Sequence, residues 1–142
     1  MRTIKYIVVH CTATQPNATI DAIKRYWKEV MKWKTVGYHY IIKADGEIVN
    51  LLDIAHPSNG VAGWNSQIVN VCYIGGIDAT GKPKDTRTAA QKASLLKVLK
   101  ELKAKFPSAK IQGHKDFPKV SKACPSFDAK KEYMTYSVVC FS

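Results

Sequence analysis

Apolar residues crowd the start of the chain, where Ile4, Tyr6, Ile7, Val8 and Val9 lead to His10. A short β-branched run of this kind predicts a strand over Ile4–His10, buried on both faces. The period then changes. Ile20, Ile23, Trp27, Val30 and Met31 recur at helical spacing behind Asn17-Ala18-Thr19, which offers a cap, while Lys24, Arg25, Lys28 and Lys32 fill the opposite face. Strand patterning returns in Tyr38–Lys43 and Glu47–Leu51, on either side of Ala44-Asp45-Gly46, a hairpin signal because glycine tolerates positive φ. Residues 54–67 read as a long loop rich in Gly, Asn, Pro and Ser, and Val69–Ile74 as a strand stopped by Gly75-Gly76. Thr88-Ala89-Ala90-Gln91 is a capping box that opens a helix with Leu95, Leu99, Leu102 and Phe106 on one face, ended by Pro107. Lys110–Gly113 is a short strand running into His114, and Ser126 offers a cap for a last helix to about Tyr136. The order β-α-β-β-β-α-β-α predicts an α/β fold, a central mixed β-sheet flanked by helices.

Length and composition narrow this further. The 142 residues suit a single domain spanning 1–142, with a core over about 4–136 and no internal repeat or linker. No apolar run approaches the length of a membrane span. The apolar stretch after Met1-Arg2 is too short for a signal-peptide core and lacks a small-residue cleavage site, so the expectation is a protein made in the cytoplasm without a signal peptide. Cys11, Cys72, Cys124 and Cys140 show no paired spacing, which argues against a disulfide framework. Cys72, inside Val71-Cys72-Tyr73-Ile74, reads as a small core residue. A net charge of +11 favours anionic partners such as nucleic acid, an acidic membrane surface or bacterial wall polymer. The lysines are dispersed, however, without a basic-aromatic array or a nucleic-acid motif, so a solvated lysine-rich surface explains them equally well.

The chemistry concentrates at strand ends. His10 ends the first strand, His114 follows the last, and Cys124 lies ten residues beyond His114 in a proline-anchored loop. Neutral imidazole and thiolate are zinc's preferred ligands, and three of them leave a tetrahedral position open, the mark of a catalytic site. Neighbouring side chains on a strand point to opposite faces, so Cys11 should not share a metal with His10 and reads as a packed thiol. Lys122, two residues before Cys124, could place a cation beside a reacting oxygen. Tyr38 could orient or deprotonate an attacking water, whereas His39, facing away from it, reads as a buried, hydrogen-bonded histidine.

Five segments then occur in order: His10-Cys11-Thr12-Ala13-Thr14, Val36-Gly37-Tyr38-His39-Tyr40-Ile41-Ile42, Gly75-Gly76-Ile77-Asp78, Gly113-His114-Lys115-Asp116 and Lys122-Ala123-Cys124-Pro125-Ser126-Phe127-Asp128. Together they resemble the zinc-dependent N-acetylmuramoyl-L-alanine amidases of the phage lysozyme type, whose fold is shared by animal peptidoglycan recognition proteins. The resemblance spans Ile7 to about Tyr133. It implies a mixed sheet with a surface groove over zinc, the metal held by His10, His114 and Cys124, and catalytic roles for Tyr38 and Lys122. It further implies hydrolysis of the amide between the muramic acid lactyl group and L-alanine in bacterial peptidoglycan, by an endolysin acting on the wall after release.

This chain departs from the family pattern at two loops. The stretch Asp116–Ser121 before Lys122 is longer, and Ala55–Asn65 looks expanded, which makes His56, Trp64 and Asn65 candidate substrate contacts. Two other functional classes compete with an amidase. One is a non-catalytic peptidoglycan-binding module, a lineage in which the cysteine ligand is lost. The other is a regulatory partner, since phage relatives in this family also inhibit their own RNA polymerase through a surface these motifs do not define. A cysteine hydrolase built on Cys11 and His10 is disfavoured by their opposed directions on the strand.

Overall fold

The computed structural model describes residues 2–118, 120 and 122–133. Five strands form one sheet in the order β3-β2-β4-β1-β5. Strand β1 (Tyr6–Cys11) lies between β4 (Ile68–Tyr73) and β5 (Lys110–Gly113), parallel to both. Strand β2 (Tyr40–Ile42) runs parallel to β4, and β3 (Ile48–Asn50) pairs antiparallel to it at the edge. The sheet is therefore mixed and belongs to a single α/β domain. Burial on both faces explains the near-continuous apolar runs: every residue of β4 is buried, as are five of the six in β1.

The two-residue period of the strands sorts side chains between two layers. Ile7, Val9 and Cys11 of β1, with Val69, Val71 and Tyr73 of β4, pack beneath helix α2 (Ala89–Lys105) through Leu95, Val98, Leu99 and Leu102. The other face carries Val8, His10, Ile68, Asn70 and Cys72. There Ile41 and Cys72 meet Ile23 and Trp27 of helix α1 (Ile20–Glu29), while Val8 and Ile68 meet Val61 and Phe117. His10 and Cys11 thus point to opposite faces, as expected from the strand.

Both long helices start as the sequence foretells. The Thr19 hydroxyl accepts from Ala22 N–H at 3.1 Å, and Thr88 with Gln91 forms the capping box. Two expectations need correction. The apolar stripe of α1 outlasts the helix, so Val30 and Met31 are 61% and 40% exposed and do not join the core. The reason is local: the N–H groups of Val30 and Met31 both donate to Tyr26 O, the backbone turns at Lys32 (φ 58°), and Trp33 folds back beside Trp27. Ser126 does not cap the last helix either, because its hydroxyl donates to Gly76 O at 2.8 Å. Asp128 caps α3 (Ala129–Glu132) by accepting from Lys131 N–H. The expected continuation to Tyr136 lies outside the described residues. Among those residues, no helix is long and apolar enough to cross a membrane.

Candidate metal centre and its cavity

Parallel strands β1 and β5 end side by side, and the chain leaves both at the same edge. His10 sits one residue from the end of β1, and His114 follows β5 directly. A glycine precedes His114 because a Cβ on Gly113 would lie 2.6 Å from Pro125 Cδ, so the loop carrying Cys124 packs directly on this backbone. That loop is pinned further: Lys115 N–H donates to Cys124 O at 2.9 Å, and the buried Tyr73 hydroxyl donates to Pro125 O at 2.6 Å.

These constraints bring His10, His114 and Cys124 together, with their ligand atoms all within 4.8 Å of one another. Cys124 Sγ lies 3.8 Å from His10 Nδ1 and accepts from Cys11 N–H at 3.2 Å. The other nitrogen of His10, Nε2, is 2.7 Å from Asn70 Oδ1. Two imidazole nitrogens and one sulfur, converging with an outer hydrogen bond on the buried histidine, make the donor set that zinc takes.

The electrostatics keep both imidazoles unprotonated. Burial holds the His10 imidazole down to about 3, with His114 and Lys122 adding repulsion. His114 falls to about 4, again through burial first and then Lys122. Both rings are therefore neutral near pH 7, the form that offers a lone pair. Hydrogen bonding to Cys11, reinforced by burial, pushes the Cys124 thiol up. A metal cation among the three groups would reverse that shift, since coordination deprotonates a thiol.

The cluster opens into a cavity of about 540 Å³ whose lining includes Tyr38, Lys122, Asn59 and Gly60. Lys122 is exposed at its rim. The Tyr38 ring centroid lies 5.0 Å from that of His10, and its hydroxyl reaches Cys11 O at 3.4 Å. Burial raises the Tyr38 phenol well above its ordinary range, so the hydroxyl carries its proton near pH 7. The opposite wall is apolar and comes from α1 and the turn after it, through Ala22, Tyr26, Met31 and Trp33.

The candidate residues of the 55–65 loop stand outside this cavity. Trp64 packs edge-on against Tyr6 at 5.7 Å and beside Phe117 at 5.3 Å, which makes it part of the loop's own small core. Asn65 Oδ1 accepts from Gly60 and Val61 N–H, shaping the loop from within. His56 is exposed, and its carbonyl accepts from His39 at 2.7 Å. None of the three lines the cavity. Sequence patterning missed Asn59, Gly60 and the exposed end of α1, although the stripe of Ala18, Ala22, Tyr26 and Met31 was a visible signal. It also missed Asn70, a polar residue inside the apolar run Ile68–Tyr73.

Comparison with known proteins agrees with this geometry. The family N-acetylmuramoyl-L-alanine amidase matches residues 1–127. The endolysin of Enterobacteria phage K11 is 40% identical over 132 residues, covering 92% of this chain and 86% of the phage protein. The Ph2119 endolysin from the Thermus scotoductus MAT2119 bacteriophage superposes with a TM-score of 0.80 at 21% identity, over 97% of this chain and 87% of its own. The fold also extends to an insect protein, Apis mellifera PGRP-SA, with a TM-score of 0.77 at 19% identity over 100% of this chain and 88% of that one. The chain belongs to the N-acetylmuramoyl-L-alanine amidase family and is an enzyme of that class.

Proposed function

We propose that the chain hydrolyses the amide between the lactyl group of N-acetylmuramic acid and L-alanine in bacterial peptidoglycan, using zinc held by His10, His114 and Cys124. The observation that carries this reading is the convergence of those three ligand atoms within 4.8 Å at the base of a cavity that also holds Tyr38 and Lys122. Zinc supplies Lewis acidity, which polarises a carbonyl and makes water nucleophilic at neutral pH.

The chain's own groups divide the remaining work. His10 and His114 stay neutral and present nitrogen lone pairs. The Lys122 ammonium at the cavity rim counters negative charge developing on the lactyl carbonyl oxygen, a contribution that is large where water is displaced. Tyr38 holds a proton beside His10 and donates a hydrogen bond that orients the reacting group. The apolar wall of Ala22, Tyr26 and Met31 receives the aliphatic parts of the lactyl and alanyl groups. Relatives such as the phage K11 protein are named endolysins, which supports action on the cell wall after release from the cytoplasm.

Digesting purified peptidoglycan with and without a chelator tests the proposal. New L-alanine amino termini should appear, and only in the sample without chelator. New reducing sugar ends would overturn it. Binding to the wall with no release would instead identify a recognition module.

A further inference from the structure

Behind the cavity, a line of buried polar side chains connects His10 to the 54–64 loop. His10, Ser58, His39 and Asn70 are each at most 1% exposed. Side chains this deep need satisfied hydrogen bonds, and in a closed line each bond fixes the direction of the next.

The direction can be deduced from the far end. His39 Nε2 lies 2.7 Å from His56 O, a carbonyl that can only accept, so Nε2 bears the hydrogen. His39 Nδ1 receives the backbone N–H of Asn70 at 2.9 Å, which can only donate, so Nδ1 bears none. Burial holds His39 down to about 4, which keeps the ring neutral and consistent with both constraints. The Asn70 N–H takes the lone pair of Nδ1, and the Ser58 hydroxyl stands 3.3 Å from the same nitrogen as a weaker second donor, while the Ser58 oxygen accepts from Asn70 Nδ2 at 2.7 Å. With its amide so oriented, Asn70 presents Oδ1 to His10 Nε2 at 2.7 Å, so Nε2 donates and Nδ1 keeps its lone pair. Nδ1 is the nitrogen that faces Cys124 Sγ at 3.8 Å.

Room for this line depends on one glycine. A Cβ on Gly60 would lie 2.1 Å from Asn70 Oδ1, which nothing at that position could accommodate without displacing the amide. The loop residue at the cavity wall is thus shaped around Asn70, as well as around the space in front of it.

We infer that Asn70, with Ser58 and His39 behind it, is the positioning residue that locks His10 in the Nε2–H form and aims Nδ1 at the metal. The inference rests on His10 being a metal ligand, and it adds what sets that ligand's tautomer and orientation. Outer partners of this kind typically carry tenfold to a hundredfold in metal affinity.

The test uses ¹⁵N-labelled full chain and long-range proton–nitrogen spectra of the histidine rings, together with chelator-competition titration of zinc. In the metal-free wild type, His10 should appear as the Nε2–H tautomer. Asn70→Leu, close in shape but without an acceptor, should lose that preference and weaken zinc binding about tenfold to a hundredfold. Gly60→Ala should weaken it in the same direction. Asn70→Asp, which restores an acceptor to His10, should bind zinc within about threefold of wild type, a rescue that a purely structural role would not give. A His10 ring bearing its proton on Nδ1 in the wild type would overturn the inference, as would unchanged zinc affinity in Asn70→Leu. The wild-type spectrum decides the question even if a variant fails to fold. Should wild type bind no zinc while showing the Nε2–H tautomer, the proposed function would fail and the positioning of His10 would stand.

Discussion

His10 and Cys124 face each other across 3.8 Å, yet they are held by different kinds of structure. His10 is part of a strand paired on both sides, and its side chain ends in a buried line of hydrogen bonds. Cys124 belongs to an irregular segment whose position depends on scattered contacts: Lys115 N–H to its carbonyl, Tyr73 to Pro125, and Ser126 to Gly76. A clasp lies just beyond. Arg87, with a side chain 1% exposed, pairs with Asp85 and Glu132 and stacks 3.5 Å over the Phe127 ring, joining the start of α2 to the segment that carries the cysteine. One half of the centre inherits the cooperativity of the sheet, and the other is assembled contact by contact. The loop half is where local changes should be felt first.

The largest effect should come from the ligands themselves. His10→Ala and Cys124→Ser should each lose bound zinc and at least about a hundredfold in amidase activity, since loss of an outer partner alone approaches that figure. Metal analysis alongside the digestion assay checks this, and a Cys124→Ser protein retaining one tightly held zinc would remove the cysteine from the centre. Lys122→Met should keep zinc while lowering kcat about a hundredfold, the scale of losing one charge-stabilising group. A change confined to KM would place Lys122 in binding alone. Arg87→Leu should destabilise the fold by about 2 kcal/mol through lost stacking and hydrogen bonds, and should raise the reactivity of Cys124 toward a thiol reagent. Thermal melts and thiol labelling read both, with His10 ring resonances as the unchanged control. Smallest of all, His56→Ala should leave stability within about 0.5 kcal/mol and KM unaltered, because its side chain is exposed away from the cavity.

The same contrast governs what was legible in the sequence. Strand β5 and the Thr88 capping box were readable because apolar period and cap chemistry are local. Cys72 fell in the core for the same reason. The helix α1 misled only at its end, where Val30 and Met31 kept the apolar period after the backbone had turned away. His10 and His114 stood out as polar residues at strand ends, and their meeting follows from two parallel neighbours ending at one edge. Trp64 was ambiguous because an aromatic in a polar loop serves equally as a ligand contact or as the loop's own core, and its packing against Tyr6 and Phe117 is set by tertiary structure. Asn70 was visible as an interruption in an apolar strand, but its role depends on Ser58, His39 and the space left by Gly60, none of which is near it in sequence.

Zinc dependence of bond cleavage is the decisive quantity. Chelator-treated protein should release no L-alanine amino termini from purified peptidoglycan, and activity should return in proportion to added zinc until one equivalent per chain is bound. Full release by the metal-free protein would contradict a zinc amidase built on His10, His114 and Cys124.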